Sequence, residues 1–238
     1  MIKQLFLICF LFISNSLSAD VKLQVVTEEW PPFNFTNEDN QVVGTTTTLV
    51  KKILKQANIE YSIHSYPWAR SMQLAQGPGN VMIYSIYQTS DRLNKFQWIC
   101  PLSSPVKSYL FRLTSRNDLN ITKLNQAKKY RIGINRADSS HEYLTKYGFI
   151  EGKNLDLTAD GKANIRKFLA KRVDFIVQTK HSMLERLKEV NMPYSKVEKV
   201  IELTGYNKKS PCMAFSLTTD KSMIKKIQKA FLNIKNQS

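Results

Sequence analysis

Alternation of short β-branched runs with amphipathic segments constrains this chain more than any other feature, and the pattern occurs twice. Val21–Thr27 is β-branched and alternating, the signature of a strand. Between Thr48 and Asn58, Leu49, Ile53, Leu54 and Ala57 recur at helical spacing, with the threonines of Gly44-Thr45-Thr46-Thr47-Thr48 placed as caps. Tyr61–Ser65 reads as a second strand, Pro67–Gln76 as a helix stopped by Gly77-Pro78-Gly79, and Val81–Ile86 as a third strand. Strand–helix–strand–helix–strand order builds a parallel sheet covered by helices.

The second set has strands at Tyr109–Thr114, Tyr130–Ile134 and Asp174–Gln178, and helices at Ser139–Tyr147, Ile165–Lys171 and His181–Val190. A closing strand, Met213–Leu217, precedes a helix from Ser222 to Asn233 that places Met223, Ile224, Ile227, Phe231 and Ile234 on one face. Two α/β sets of this size imply two lobes, each large enough for a modest core.

Met1–Ala19 reads as a secretory signal: Lys3 supplies the positive start and Leu5–Ile13 an apolar run. That run is well short of the ~20 residues of a spanning helix. Export to the periplasm is expected, with no membrane span after cleavage. Two cysteines then remain, Cys100 and Cys212, and an oxidising compartment allows them to pair.

A net charge of +16, from 35 Lys+Arg against 19 Asp+Glu, raises nucleic acid or an anionic surface as partners. The lysines are scattered in pairs such as Lys51-Lys52, Lys128-Lys129 and Lys225-Lys226, which describes a solvated surface rather than a recognition stripe. Nucleic-acid binding is therefore not expected. His64, His141 and His181 are dispersed and the cysteines lie far apart, so neither a metal site nor a cofactor is expected. No Gly-x-Ser-x-Gly or phosphate-loop motif occurs.

Trp30-Pro31-Pro32-Phe33 after the first strand, Gly44 before a helix, Tyr66-Pro67-Trp68-Ala69-Arg70, and Thr89-Ser90-Asp91-Arg92 followed by Phe96 and Pro101 together carry a resemblance. Arg131-Ile132-Gly133-Ile134 and Asp174-Phe175-Ile176-Val177 extend it into the second half. The chain resembles the extracellular solute-binding proteins of family 3, periplasmic receptors that feed polar amino acids to ABC importers.

That resemblance implies a two-lobed periplasmic-binding-protein-like α/β fold of type II, with the ligand cleft between lobes and two crossover strands at the hinge. Lobe 1 would comprise 20–103 plus 212–238, and lobe 2 would comprise 104–211. Cys100 and Cys212 fall near the expected crossings, where a disulfide would tie the hinge. The implied partners are a small-molecule solute and the membrane subunits of an ABC transporter, with the receptor itself a monomer.

The resemblance also implies roles for residues. Arg92 would hold the ligand's α-carboxylate, for which a guanidinium fork is well matched. Ser139 and Ser140 would present a helix N-terminus to the ligand. Trp30 and Trp68 would sandwich it, Tyr84 and Ser85 would contact it from the end of a strand, and Arg70 is a candidate for a second acidic group. Thr179 stands where the family usually places an acid for the α-ammonium, so an organic acid, a modified amino acid, or an amine held by Glu28 or Glu29 or by the aromatic faces all stay open. The alternative functions are a periplasmic dehydratase on a cyclic carboxylate, with Glu28, Glu29 or His141 as acid or base, and a sensory module.

Overall fold

The computed structural model describes residues 22–206 and 210–237. The expected signal at Met1–Ala19 lies outside the described residues. Two separate five-stranded sheets form two lobes. The first lobe contains β1 (Leu23–Thr27), a two-strand ribbon of β2 (Phe35–Thr36) and β3 (Val42–Val43), α1 (Thr45–Gln56), β4 (Tyr61–Ser65), α2 (Trp68–Ala75), β5 (Val81–Tyr87) and β6 (Gln97–Ile99). The second contains β7 (Ser108–Leu113), β8 (Ile132–Asn135), α3 (Ser139–Lys146), β9 (Leu155–Thr158), α4 (Gly161–Leu169), β10 (Phe175–Thr179), α5 (Lys180–Lys188) and β11 (Val197–Glu202). The chain then returns to the first sheet as β12 (Pro211–Phe215) and ends in α6 (Lys221–Lys235).

The first sheet has the order β4-β1-β5-β12-β6, with β4, β1 and β5 parallel and β12 antiparallel to β5. In the second, ordered β11-β7-β10-β8-β9, strands β10, β8 and β9 are parallel. Every residue of β5 is buried, as a central strand covered on both faces must be. One face carries the core of Val50, Ile53 and Leu54 from α1 with Ile227, Phe231 and Ile234 from α6. The other carries Trp68, Met72 and Ala75 from α2. The second lobe is built likewise, with α4 and α5 contributing Ile165, Phe168, Met183 and Leu187.

The crossings run side by side. Leu102 N–H donates to Pro211 O (2.8 Å) and Leu203 N–H to Ser108 O (2.9 Å). Cys100 and Cys212 form a disulfide between these segments, spanning 112 residues of sequence. In the chain-entropy model, closing a loop on the order of 100 residues stabilises a fold by about 4–5 kcal/mol.

The start of α1 departs from the sequence expectation. Its N-cap is Gly44, and no threonine side chain caps it. Instead the N–H groups of Thr45, Thr46 and Thr47 donate to Pro32 O and Phe33 O at 3.0, 2.9 and 3.3 Å. The orphan donors that every helix start carries are met by the carbonyls of the Trp30–Asn34 turn. That turn and α1 are thereby one unit, and it delivers Trp30 to the edge of the cleft.

Candidate functional site

In both sheets the parallel strands end toward the other lobe, the position where open α/β sheets place their ligands. Glu28, Glu29 and Trp30 follow β1, and Ser85 and Tyr87 lie at the end of β5. From the second lobe, Asn135 ends β8, Asp138 and Ser139 follow it, and Val177, Gln178 and Thr179 end β10. All of these line one cavity of ≈ 60 Å³ between the lobes. At roughly 10–15 Å³ of such volume per water, it has room for about four to six waters, or a solute with a similar number of non-hydrogen atoms.

Ser85 reaches the cleft through a backbone irregularity. The pairing of β5 with β12 shifts register between Cys212 and Met213, and Ser85 adopts φ 60°. This bulge turns its hydroxyl onto Asn34 Oδ1 at 2.6 Å. Tyr84, expected beside it, is turned away: it lies in the core, with its hydroxyl 2.7 Å from Thr47 Oγ1. Arg70 is a second correction. It is exposed on α2, where Nη1 donates to Gln73 Oε1 at 3.1 Å, and it does not line the cleft.

The helix starts of the second lobe are already capped. Asp138 Oδ1 accepts from Ser140 N–H (3.0 Å) and from Ser139 Oγ (3.1 Å), and Ser139 Oγ also lies 2.7 Å from Tyr206 Oη. Asp160 Oδ1 accepts from Ala163 N–H at 2.7 Å. Thr179 Oγ1 accepts from Ser182 N–H at 3.1 Å, so this threonine caps α5 while lining the cleft. Ser139 and Ser140 do line the cavity, but a carboxylate of the chain itself sits at their helix terminus.

Arg92 is 1% exposed and spans the two lobes. Its Nε donates to Glu142 Oε1 at 2.7 Å, and Nη2 lies 2.6 Å from the same oxygen and 2.8 Å from Ala137 O. Trp68 supports this arrangement, with Nε1 donating to Ala137 O at 2.7 Å and its ring 5.4 Å from the Arg92 guanidinium carbon. Ala137 stands at φ 59°, a left-handed conformation that turns its carbonyl toward both donors. The fork expected to hold a ligand carboxylate is thus engaged by Glu142.

A second buried arginine, for which the sequence suggested no role, lines the same cleft. Arg186 on α5 is 1% exposed, and Nη2 donates to Glu29 O across the lobes at 2.6 Å. Its Nε and Nη1 have no hydrogen-bond partner. Gly161 makes the space, since a Cβ there would stand 2.7 Å from Nη2. A sequence signal for Arg186 existed: Met183, Arg186 and Leu187 share one helix face, so the arginine interrupts the apolar side of α5.

Glu28 faces this arginine's cleft from the first lobe. It is partly buried, and among the described residues no group hydrogen-bonds its carboxylate. Burial pushes the Glu28 carboxyl well above the ordinary carboxylate range and Asp138 adds to the rise, while Arg186 and Arg92 offset only part of it. A ligand cation beside it would reverse that balance by favouring the ionised form. Among the described residues no cluster of metal-ligating side chains is present.

The fold has relatives among solved structures. The chain matches a histidine kinase sensor domain with similarity to periplasmic binding proteins at TM-score 0.77 and 16% identity, covering 91% of each chain. It matches an ancestral arginine-binding protein bound to glutamine at TM-score 0.77 and 19% identity, covering 91% and 92%. The arginine-, lysine-, histidine-binding protein ArtJ from Geobacillus stearothermophilus matches at TM-score 0.71 and 19% identity, covering 91% and 90%. At these identities the likeness is one of fold. No curated protein matches in sequence. The family model of the bacterial extracellular solute-binding proteins, family 3, matches residues 23–238, a span that takes in both lobes, and the chain belongs to that family.

Proposed function

We propose that this protein is a periplasmic receptor that closes its two lobes over a small carboxylate-bearing solute, an amino acid or a related organic acid, and delivers it to an ABC importer. One observation carries the reading: the lobes meet through direct polar contacts around a charged cavity. Besides the bonds of Trp68, Arg92 and Arg186, Lys146 Nζ lies 2.8 Å from both Ser90 Oγ and Asp91 Oδ1. Contacts of this kind exist only when the lobes are together, so a solute that bridges the lobes shifts the population toward closure.

An enzymatic reading has one observation in its favour, because a carboxyl raised by burial, such as Glu28, is what a general acid requires. The cavity of ≈ 60 Å³ weighs against a ring-bearing cyclic acid as its substrate. A sensory role would use the same closure and differ only in the partner that reads it.

The test is thermal denaturation of the mature chain against the twenty L-amino acids, β-alanine, γ-aminobutyrate, malate and succinate. A true solute at about 100 times its Kd stabilises by ~2.7 kcal/mol, a rise of roughly 5–10 °C in a chain of this size. Recovery of the solute chemically intact separates receptor from enzyme. If no member raises the melting temperature, the proposed solute class is wrong.

A further inference from the structure

We infer that the cleft reads its solute with a reversed pair of charges: Arg186 of the second lobe seats the carboxylate, and Glu28 of the first lobe seats the ammonium of a short zwitterion. This inference rests on the receptor reading and specifies the solute for it.

Arg186 is charged, buried and largely unsatisfied. A guanidinium carries five N–H donors and cannot lose its charge. In this structure one donor reaches Glu29 O, while Nε and Nη1 have no acceptor although the residue is buried. Leaving a buried donor unmet forfeits its hydration without a replacement bond, and the penalty is larger for a charged group. A role as an interlobe tie would need only the Nη2 bond. Glu189 Oε2 lies 3.6 Å from Nη1, beyond hydrogen-bond reach, on a side chain that is 41% exposed. It screens the charge without satisfying the donor.

Arg92 has the opposite condition. Its Nε and Nη2 already serve Glu142 and Ala137. A ligand carboxylate at Arg92 would have to displace a hydrogen-bonded carboxylate of the protein, whereas one at Arg186 would meet two donors that have no hydrogen-bond partner.

The rest of the wall selects against a pure anion. The Glu28 carboxylate has no hydrogen-bonding partner among the described residues, although its backbone carbonyl accepts from Asn34 Nδ2 at 2.7 Å, and Asp138 stands near enough to raise its proton affinity. A dicarboxylate or phosphate would meet both acids, but an ammonium is drawn to them. An arginine with two unmet donors in one lobe and an unpaired carboxyl in the other describe the charge pattern of a zwitterion. The cavity of ≈ 60 Å³ limits it to a short one.

The experiment is calorimetric titration of the mature chain with glycine, L-alanine, β-alanine and γ-aminobutyrate, each paired with its carboxamide, which keeps the ammonium and removes the carboxylate charge. Wild type is expected to prefer the acid over the amide by roughly 10- to 100-fold, the range of a charge-assisted hydrogen bond. Arg186→Met should abolish that preference, binding acid and amide alike, and Arg186→Lys, which keeps the charge without the planar fork, should retain only part of it. Arg92→Met should lower affinity for both members of a pair and keep the preference. Glu28→Gln should weaken both members equally, because the ammonium is common to them.

If Arg186→Met and Arg186→Lys keep the wild-type preference, or if Arg92→Met loses it, Arg186 is not the carboxylate site and the inference falls while the receptor reading stands. Should wild type bind other members of the wider panel but none of these acids, the short-zwitterion assignment is overturned. Binding of nothing in either panel overturns the reading of a receptor for a small carboxylate-bearing solute, and the inference with it.

Discussion

Replacing Glu142 by alanine is expected to weaken solute binding by at least tenfold and up to about 100-fold without unfolding the protein. Glu142 is the counter-charge of Arg92, with N–O distances of 2.7 and 2.6 Å, and the two residues belong to different lobes. In the closed state its removal leaves a guanidinium that is 1% exposed with only backbone carbonyls for partners. Removing one partner of a fully buried ion pair costs about 3–5 kcal/mol. Here the Glu142 side chain keeps 21% exposure, so a smaller loss is expected, nearer the ~1.5–3 kcal/mol of a hydrogen bond to a charged group. Opening the lobes rehydrates Arg92, so the loss falls on closure rather than on either core. At 1.4 kcal/mol per factor of ten, apparent affinity drops by the stated range. Glu142→Gln keeps an acceptor and should lose less. A Kd within twofold of wild type for Glu142→Ala, measured by titration, would show that this pair does not hold the lobes together.

Gly44→Ala should act on stability, and strongly. Gly44 stands at φ 118°, which L residues rarely adopt, and an added Cβ would lie 2.4 Å from Phe33 O and 2.8 Å from Pro32 O. Those carbonyls are the acceptors that begin α1, so the turn cannot move aside without breaking the bonds to Thr45 and Thr46. A loss on the order of 3 kcal/mol is expected from forced φ and lost capping together. That corresponds to a melting temperature lower by roughly 6–12 °C at this chain length. The same change should blunt binding, because the Trp30–Asn34 turn carries Trp30 and the backbone next to Glu29. An unchanged melting temperature would mean that the turn accommodates a side chain by a route the packing does not suggest.

Much of the architecture was legible from periodicity because burial was regular. Tyr61–Ser65 and the α6 face could be read directly, since one element alternates and the other repeats every three to four residues. Strands β6 and β11 escaped because they lack that regularity, and β9 because its alternation, Leu155-Asp156-Leu157-Thr158, runs for only four residues. Gln97-Trp98-Ile99 has only three residues, and Val197–Glu202 carries glutamate and lysine along a sheet edge, which resembles a charged loop.

The site was legible only where a motif positioned it. Trp30, Trp68, Ser85, Arg92, Ser139, Ser140 and Thr179 do converge on one cavity. Tyr84 was misplaced because β5 is buried on both faces, and hydropathy cannot say which face meets the cleft when neither meets water. The engagement of Arg92 by Glu142 was invisible because its partners are 50 residues apart and on different lobes. Arg186 was hidden among Glu185, Lys188 and Glu189, a setting that reads as a solvated helix face until the fold buries it. The basic surplus also proved a poor guide to the cleft, whose wall carries Glu28, Glu29 and Asp138 beside its two arginines.

Closure over a bound solute is the central claim, and small-angle X-ray scattering of the mature chain, with and without the solute that most raises its melting temperature, tests it most directly. The radius of gyration should fall on addition of the solute, in proportion to the fraction bound by titration. Saturable binding with an unchanged scattering curve would contradict a receptor that works by bringing its lobes together.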